Sequence, residues 1–516
     1  MKKRISFLLF IIAFQLYGQV GINTTSPNAQ LDITSSNQAT PSNTDGVLIP
    51  KVDDFSVVNP TNAQQGMLVY LTTISGTNLP GFYYWDNVTL TWIPLSKDAT
   101  GWSINGNTGT NSATHFIGTS DDMDVIFKRN NIASGKLSLA NTSFGVASLN
   151  PLNTGSFNSA IGTETLIFNT TGNYNTATGD NSLKNNTVGN DNTANGAYAL
   201  NSNINGSYNQ ASGTNALRAN TSGSYNAANG FRALFSNTQG TSNTANGGAA
   251  LYFNTIGTSN TAIGFSSLLN NISGNNNTGV GLEALLNNTS GSNMTAVGYQ
   301  SLLSNTSGVE NTALGFQSLF LNTLGSYNTA SGIYSLRNNT TGGENTAFGS
   351  YSLYTNATGN YNLACGVNAL RENTIGSENT AVGTYALRYN TNGNHNAALG
   401  TNALLLNTVG SGNSAFGNGA LYSNVTGNNN SSFGYLSLFN NVSGYNNVAF
   451  GAAAMLNNTM GYNNTIVGIN SLYNSTTGHS NTAIGISSLY SMTAGTYNTL
   501  SGVILTIMGV INIQQQ

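Results

Sequence analysis

Charged side chains are scarce in this protein, and cysteine, proline, tryptophan and histidine are scarcer still. Only 6% of its 516 residues are charged, with a formal net charge of −3, against about 25% in a typical globular protein. A chain with so little positive charge offers no basic surface to phosphates, which argues against nucleic-acid binding. The one cysteine, Cys365, cannot form an intramolecular disulfide. We expect it to be a semi-apolar filler, because no activating neighbour is visible.

Side chains suited to catalysis or metal binding are also few. The three histidines, His115, His395 and His479, lie far apart in the sequence. Acidic residues are scattered through the C-terminal 70% of the chain, without the carboxylate pairs that polysaccharide hydrolysis needs. No G-K-[ST] phosphate loop occurs. We therefore predict a protein that is not an enzyme, with no catalytic, cofactor-binding or metal site. A polysaccharide-acting β-helix enzyme is the less favoured alternative.

The N-terminus has the features of an export signal. Lys2, Lys3 and Arg4 precede a short apolar segment at residues 5–16, and Gly18 offers a cleavage position before Gln19. The apolar segment is too short to favour a membrane-spanning helix. We expect a mature chain without a membrane span, either secreted or held at the cell surface.

Most of the chain is one repeat of seventeen residues. Glycine recurs at every seventeenth position from Gly145 to Gly502, and a second glycine column runs from Gly155 to Gly495. Such a fixed period is typical of a solenoid. With Asn186 as position 1, the consensus is N-T-x-G-x-x-N-T-A-x-G-x-x-[AS]-L-x-x. The glycines at positions 4 and 11 leave too few residues between them for a pair of helices.

The repeat therefore predicts an all-β fold, a β-solenoid (parallel β-helix or β-roll) of about 21 coils. Each coil is expected to contain two or three very short strands with glycine at the corners, where positive φ costs glycine little. Coils stacked about 4.8 Å apart would form a rod on the order of 100 Å long.

The repeat positions also predict which side chains face inward. Leucine at position 15 and alanine at position 9 should form the core, whereas positions 6, 13 and 16 should face water. The asparagines of position 7, and those of position 1, should form hydrogen-bonded ladders from coil to coil. We accordingly expect Leu302→Asp to melt the rod locally and Arg388→Asp to have almost no effect.

The sequence divides into five predicted segments. They are a signal peptide at 1–18, an extended leader at 19–45, a small β-rich module with the solenoid entry at 46–144, the solenoid at 145–502 and an irregular apolar tail at 503–516. The β-rich module is predicted from apolar runs at 47–49, 67–70 and 82–85, with β-like patterns continuing at 114–118 and 125–127. The residues before Gly145 are expected to cap one open end of the stack.

The A-x-G units of the repeat carry a resemblance to a known family. Ala177-Thr178-Gly179, Ala262-Ile263-Gly264 and Ala381-Val382-Gly383 each follow Asn-Thr. Over roughly residues 140–502 the repeat resembles the head repeats of YadA-like trimeric autotransporter adhesins, although the unit of that family is shorter. The resemblance implies a β-roll, a homotrimer of chains lying side by side, and binding to surface carbohydrate or to host or extracellular-matrix ligands.

The front of the chain carries a second resemblance. Residues 20–29, VGINTTSPNA, and residues 81–85, GFYYW, are similar to exported tail-fibre-like proteins of Bacteroidetes-type bacteria. Such proteins often end in a self-cleaving chaperone domain, and autotransporters end in a β-barrel anchor. Only 14 residues follow Gly502, so we expect neither here.

Together these features predict an exported, non-enzymatic, adhesin-like surface or fibre protein that makes many weak contacts through a repeated face. Position 16 is expected to supply those contacts through Tyr252, Phe320, Tyr354, Arg371, Arg388, Tyr422 and Phe439. The alternative is an ice-binding protein that orders water on threonine columns at positions 8 and 2. Threonine also suits β-structure and turns, however, which explains both columns without ice.

Overall fold

The computed structural model describes residues 18–95, 110–111 and 113–502. The expected signal segment up to residue 17 and the expected tail at 503–516 lie outside the described residues. Those residues fall into two compact units that divide between Gly118 and Thr119. The described part of the chain is all-β apart from one 3₁₀ turn at Asn62–Gln64, and none of its helices could span a membrane.

The first unit contains two small sheets. Strands β1 (Val20–Ile22) and β2 (Leu31–Ile33) pair in parallel within the segment that was expected to be an extended leader. The second sheet has the order β3-β4-β5-β6. Its β3–β4 pair is parallel and its other pairs are antiparallel. Its strands are β3 (Lys51–Val52), β4 (Leu68–Leu71), β5 (Gly81–Asp86) and β6 (Thr91–Pro94).

Aromatic and aliphatic side chains form the core of this four-stranded sheet. Val69, Leu71 and Tyr83 are buried on one face, as the two-residue alternation of a strand requires. Phe55 covers them and stacks on Trp92 with ring centroids 5.1 Å apart. The predicted apolar runs at 67–70 and 82–85 thus become strands. The runs at 47–49 and 114–118 do not.

The second unit begins with an antiparallel meander that caps the solenoid. Strand β7 (Val125–Arg129) pairs with β8 (Ile132–Leu137), and β8 pairs with β9 (Asn141–Phe144). Strand β9 in turn starts the parallel stack. Because β8 occupies the edge of β9, the first coil presents no unpaired strand. The outer strand β7 ends in exposed Lys128 and Arg129, and such charges discourage edge-to-edge pairing. The predicted cap is confirmed.

Beyond the cap, each coil contributes one strand to a parallel stack whose register is offset by seventeen residues. Thr295 pairs with Thr312, for example, and Ala296 pairs with Ala313. The strands are β10 (Asn158–Ile161), β11 (Thr176–Thr178), β12 (Thr193–Asn195), β13 (Gln210–Ser212), β14 (Ala227–Asn229), β15 (Thr244–Asn246), β16 (Thr261–Ile263), β17 (Thr278–Val280), β18 (Thr295–Val297), β19 (Thr312–Leu314), β20 (Thr329–Ser331), β21 (Thr346–Phe348), β22 (Leu363–Cys365), β23 (Thr380–Val382), β24 (Ala397–Leu399), β25 (Ser414–Phe416), β26 (Ser431–Phe433), β27 (Val448–Phe450), β28 (Thr465–Val467), β29 (Thr482–Ile484) and β30 (Thr499–Ser501).

The β-solenoid with its seventeen-residue period is confirmed, but the expected two or three strands per coil are not. Each coil from β11 onward has one three-residue strand, at positions 8–10, and the remaining positions form turns. Residues at positions 6, 13 and 15 have positive φ, as at Glu310, Gln300 and Leu302. Such left-handed residues interrupt extended structure. The turns are nevertheless joined by backbone hydrogen bonds, such as the Thr306 amide to the Thr323 carbonyl at 3.0 Å.

The core of the rod is a column of leucines beside two columns of small side chains. Leu285, Leu302 and Leu319 at position 15 are fully buried, as are the position-9 residues Ala296 and Ala313. Each buried leucine contributes roughly 2 kcal/mol. Position 14, which carries alanine, serine or threonine, is buried as well. The inward assignment of positions 9 and 15 is confirmed.

Two buried asparagine ladders run along the rod, as predicted. At position 7, the Asn345 side chain donates from Nδ2 to Asn328 Oδ1 at 3.1 Å and to the Gly359 carbonyl at 2.8 Å. The backbone N–H of Asn345 donates to the same Asn328 oxygen at 3.0 Å. At position 1, Asn339 Nδ2 donates to Asn322 Oδ1 at 2.7 Å. Buried amides would be costly if left unpaired, and the stacking satisfies them.

The two glycine columns have different causes. Gly298 at position 11 has φ +134°, a conformation that other residues rarely adopt. The glycines of position 4 do not have positive φ, so the predicted corner explanation is wrong for them. A β-carbon at Gly291 would lie 2.6 Å from Asn288 Oδ1 and closer still to the Gly308 carbonyl oxygen. Position 4 is glycine because the asparagine ladder and the next coil leave no space.

Candidate functional site

The outward columns of the solenoid are the candidate functional site. Position 6 is exposed, as expected, at Asp191, Glu310 and Glu344. Position 13 is only half-buried at Glu283. There a polar chain links successive coils, because Gln300 donates to Glu283 at 2.8 Å and Gln317 donates to Gln300 at 2.7 Å. Many outward side chains are thus engaged with their counterparts seventeen residues away.

Position 16 is not the free contact surface that the sequence predicts. Tyr252 stacks on Phe235 with centroids 5.0 Å apart, and Phe439 stacks on Tyr422 at 4.8 Å. All four rings are half-buried. Ring faces that cover each other are not available to stack on a sugar. A constant period places the same repeat position of successive coils directly one above the other, and this favours such self-stacking over ligand binding.

The arginines of position 16 are also engaged within the rod. The Arg337 guanidinium lies 4.8 Å from the Phe320 ring centroid, and Arg388 lies 4.8 Å from that of Tyr389. Arg388 is half-buried, and its Nε is buried without a hydrogen-bond partner. Cation–π contacts of this kind contribute about 0.5–1 kcal/mol or more. Contrary to the expectation from the sequence, Arg388→Asp should therefore destabilise the rod locally, because the substitution removes packing as well as charge.

The threonine columns of the ice-binding alternative do not lie side by side on the strand face. In a three-residue strand, positions 8 and 10 point to the same side. Position 8 often carries threonine, whereas position 10 carries threonine only at Thr178. At position 2 the hydroxyls donate along the rod, as Thr306 Oγ1 does to the Thr323 carbonyl at 3.1 Å. Those hydroxyl protons already have partners within the protein.

The densest group of titratable side chains in the rod follows position 6 through four consecutive coils. It consists of Glu344, Tyr361, Glu378 and His395, all exposed. His395 Nδ1 lies 3.0 Å from Glu378 Oε2. The negative charge of Glu344, its hydrogen bond with Tyr361 and, to a smaller extent, Glu378 raise the pKa of the Tyr361 hydroxyl. These groups lie in a row on an open surface rather than around a cavity.

The remaining predicted residues do not converge on a site. His115 contacts its own turn through Asn111, and His479 stacks on Tyr462 with centroids 4.5 Å apart. Within the described ranges, no three His, Cys, Asp or Glu side chains come together as metal ligands would. Cys365 is exposed on β22.

One outward feature was not predicted from the sequence. Positions 10 and 12, on either side of the position-11 glycine, carry exposed apolar side chains in most coils from Ile263 to Ile486. From the sequence alone, position 10 was assigned neither to the core nor to the outward columns. Its change of character along the chain, from polar in β11 to β15 to apolar from Ile263 onward, was the available signal.

Comparison with known proteins gives one match. Residues 21–112 match the family model for a phage tail like trimerisation region. A search of curated proteins and a search of solved structures found no match. The matched region contains most of β1 and all of β2 to β6, and it agrees with the tail-fibre-like resemblance of the front of the chain. It does not reach the repeat, whose resemblance to adhesin heads is not confirmed. A trimerisation region followed by a repetitive β-solenoid fits a structural or fibre-like protein.

Proposed function

We propose that this chain is an exported, non-enzymatic fibre protein that assembles as a homotrimer and presents its solenoid as a repeated contact surface. The observation that carries the proposal is the combination of a matched trimerisation region at residues 21–112 with a stack of coils in constant register from β9 to β30. Rigid stacked coils give length, and the front region supports the association of three copies.

Multivalent contact is the part of the proposal that concerns binding. The outward columns repeat at every coil, so one weakly binding group per coil would be presented many times on a rigid rod. Binding through many copies raises apparent affinity without any strong single site. Because position 16 is occupied by packing within the rod, the contacts fall to the more exposed columns, such as position 6 with Tyr327 and Tyr361.

Sedimentation equilibrium on residues 19–516 tests the assembly. The expected mass is three times that of one chain, independent of concentration over the micromolar range. A monomer at all concentrations would contradict the proposed fibre.

Export is tested separately by fusing residues 1–30 to a reporter without its own signal. Replacement of Lys2, Lys3 and Arg4 by glutamate should abolish its secretion.

Deletion of whole coils tests multivalent contact. Removal of residues 264–348 takes out five units of seventeen residues and joins Ile263 to Gly349, which restores the order of positions 10 and 11. Each coil contacts mainly its neighbours, so the shortened rod should fold. Its binding to polysaccharide-coated beads should fall more than in proportion to the coils removed. Binding that is unchanged would indicate a single local site instead.

A further inference from the structure

One face of the solenoid changes character along the rod. Position 10 is apolar at Phe144 and Ile161 in β9 and β10, but in the polar section from β11 to β15 it carries Thr178, Asn195, Ser212, Asn229 and Asn246. From Ile263 to Ile484, thirteen of fourteen position-10 residues are apolar, and the exception is Ser331. Over the same coils, position 12 carries Phe, Leu, Tyr, Ile or Val in nine of fourteen, from Phe265 to Ile486. We call these two columns from Ile263 to Ile486 the apolar stripe.

The apolar stripe is exposed although its side chains touch along the rod. Phe416 stacks on Phe433 with centroids 4.8 Å apart, and Tyr299 stacks on Phe316 at 5.2 Å. Most side chains of the stripe remain exposed, from 37% at Val467 to 61% at Phe265. Fourteen coils extend roughly 65 Å. A contiguous apolar surface of that length exceeds what monomeric proteins usually leave open and indicates an interaction surface.

The apolar stripe carries no charged residue, although charged residues occur in several other outward columns of the same coils. Neither position 10 nor position 12 carries a charged residue from Ile263 to Ile486. In those coils position 6 has Glu310, Glu344 and Glu378, and position 16 has Arg337, Arg371 and Arg388. Outside the stripe, these two columns contain one charged residue, Asp180 at position 12, and it lies in the polar section.

This absence of charge is what association between identical parallel chains requires. In a symmetric trimer of rods lying in register, each coil meets the same coil of the other two copies. A charged residue on the shared face would therefore meet like charges, which is unfavourable. A different partner could supply the opposite charge and would not require a charge-free column. The uncharged face thus favours a second and third copy of this chain as its occupants.

We propose that the apolar stripe is the surface along which the solenoids of three copies pack, and that the polar position-10 side chains of β11 to β15 face water. The proposal rests on the proposed homotrimer, because the front region at residues 21–112 would hold the chains at high effective concentration. With the chains already joined, weak apolar contacts repeated over fourteen coils suffice to bring the rods together.

Cys365 provides a probe for this packing. It occupies position 10 near the middle of the apolar stripe, it is exposed, and the sequence has no other cysteine. If the stripes of the three copies face one another, their Cys365 thiols lie close together. A short bismaleimide should then join two chains of the native trimer in high yield. The matched control is Cys365→Ala with Thr358→Cys, which moves the thiol to exposed position 3 of the same coil and should join few chains.

A charge on the stripe provides a second readout. Leu399→Asp, two coils from Cys365, places like charges together and should reduce cross-linking through Cys365 at least about tenfold. Asn195→Asp, at position 10 of the polar section, should leave it unchanged. Sedimentation is measured on every variant. A trimer whose Cys365 links no better than the position-3 control would overturn the packing proposal and leave the trimer standing. A monomeric wild-type chain would overturn both.

Discussion

At the scale of single residues, asparagine side chains carry hydrogen bonds along the rod where the backbone turns away from strand geometry. Most position-7 oxygens accept two bonds from the next coil, as Asn328 Oδ1 does from the backbone and the side chain of Asn345. Serine or aspartate cannot reproduce this pattern, because neither has a carboxamide that both donates and accepts. The ladder therefore makes position 7 one of the least replaceable positions of the repeat.

Met294 is the interruption of the position-7 ladder. It is buried and offers no carboxamide oxygen to Asn311, which follows it in the column. Met294→Asn should complete the ladder and stabilise the neighbouring coils by about 1 kcal/mol. Hydrogen exchange of the Asn311 amide should become slower. A thermal melt should show a higher unfolding midpoint.

Asn345→Met, within an unbroken part of the ladder, is the matched reverse substitution and should destabilise by a similar amount. Ser475→Asn tests the position-1 ladder independently, because Asn458 Oδ1 and Ser475 Oγ are both buried without a partner. Lower stability in Met294→Asn would show that the ladder contributes less than the packing of the methionine.

Position 4 separates the two explanations for glycine. Gly291→Ala should destabilise by about 1–3 kcal/mol, because the added β-carbon collides with Asn288 and with the backbone of the next coil. Gly248→Ala, at outward position 12, would bring its β-carbon 3.2 Å from the Phe265 ring edge and should be tolerated. Comparison of the two melting curves decides the matter, and equal melting points would refute the steric explanation.

At the scale of the element, the coil is held by a balance between strain and burial. Leu302 has φ +51°, a left-handed conformation that costs about 1–2 kcal/mol for a residue with a β-carbon. Burial of the leucine contributes about as much or more, and its amide donates to the Ser318 carbonyl at 3.0 Å. Burial and interlocking bonds therefore stabilise a conformation that the residue would not adopt alone.

This balance explains what the sequence could and could not predict. Periodicity identified the solenoid, and the nearly unbroken Leu and Asn columns identified the core and both ladders. The single strand per coil was missed because left-handed residues at positions 6, 13 and 15 have no common chemistry. Leu302, Gln300 and Glu310 share only φ, which neighbouring coils impose. The contacts among position-16 side chains were missed because they depend on which side chains lie directly above one another in successive coils, and not on residue type alone.

Leu302→Asp should disrupt its own coil and the two adjacent coils. An unpaired carboxylate in the leucine column loses the burial energy and adds a desolvation cost, together about 4 kcal/mol or more. Hydrogen exchange should show fast exchange limited to the region of β17 to β19. Ser307→Asp, at exposed position 3 of the next coil, is the control and should exchange like the parent. Loss of protection along the whole rod would mean that the coils do not unfold locally.

At the scale of the whole molecule, ion pairs contribute little to what holds the chain together. The described part of the chain contains four, including Lys136 with Asp124 at 2.6 Å and His395 with Glu378. Exposed pairs contribute about 0–1 kcal/mol each and are screened by salt. The apolar column and the buried amides carry the stability instead, and neither depends on ionic strength to first order.

The melting temperature of the chain should therefore change by only a few degrees between about 0.05 M and about 1 M sodium chloride. A large fall on adding salt would show that charge has a structural role that the geometry does not indicate. Leu399→Asp, if it separates the rods as proposed, should by contrast become less disruptive in high salt, since the repulsion it introduces is screened.

The constant register of seventeen residues has a genetic consequence. One coil corresponds to 51 nucleotides, and neighbouring coils share the same pattern of glycine, asparagine, alanine and leucine positions. Unequal recombination in frame would then add or remove whole coils, changing reach by about 4.8 Å per event while every remaining side chain keeps a partner of the usual kind. Lineages carrying such a gene would be able to vary the length of the fibre without having to reinvent its core.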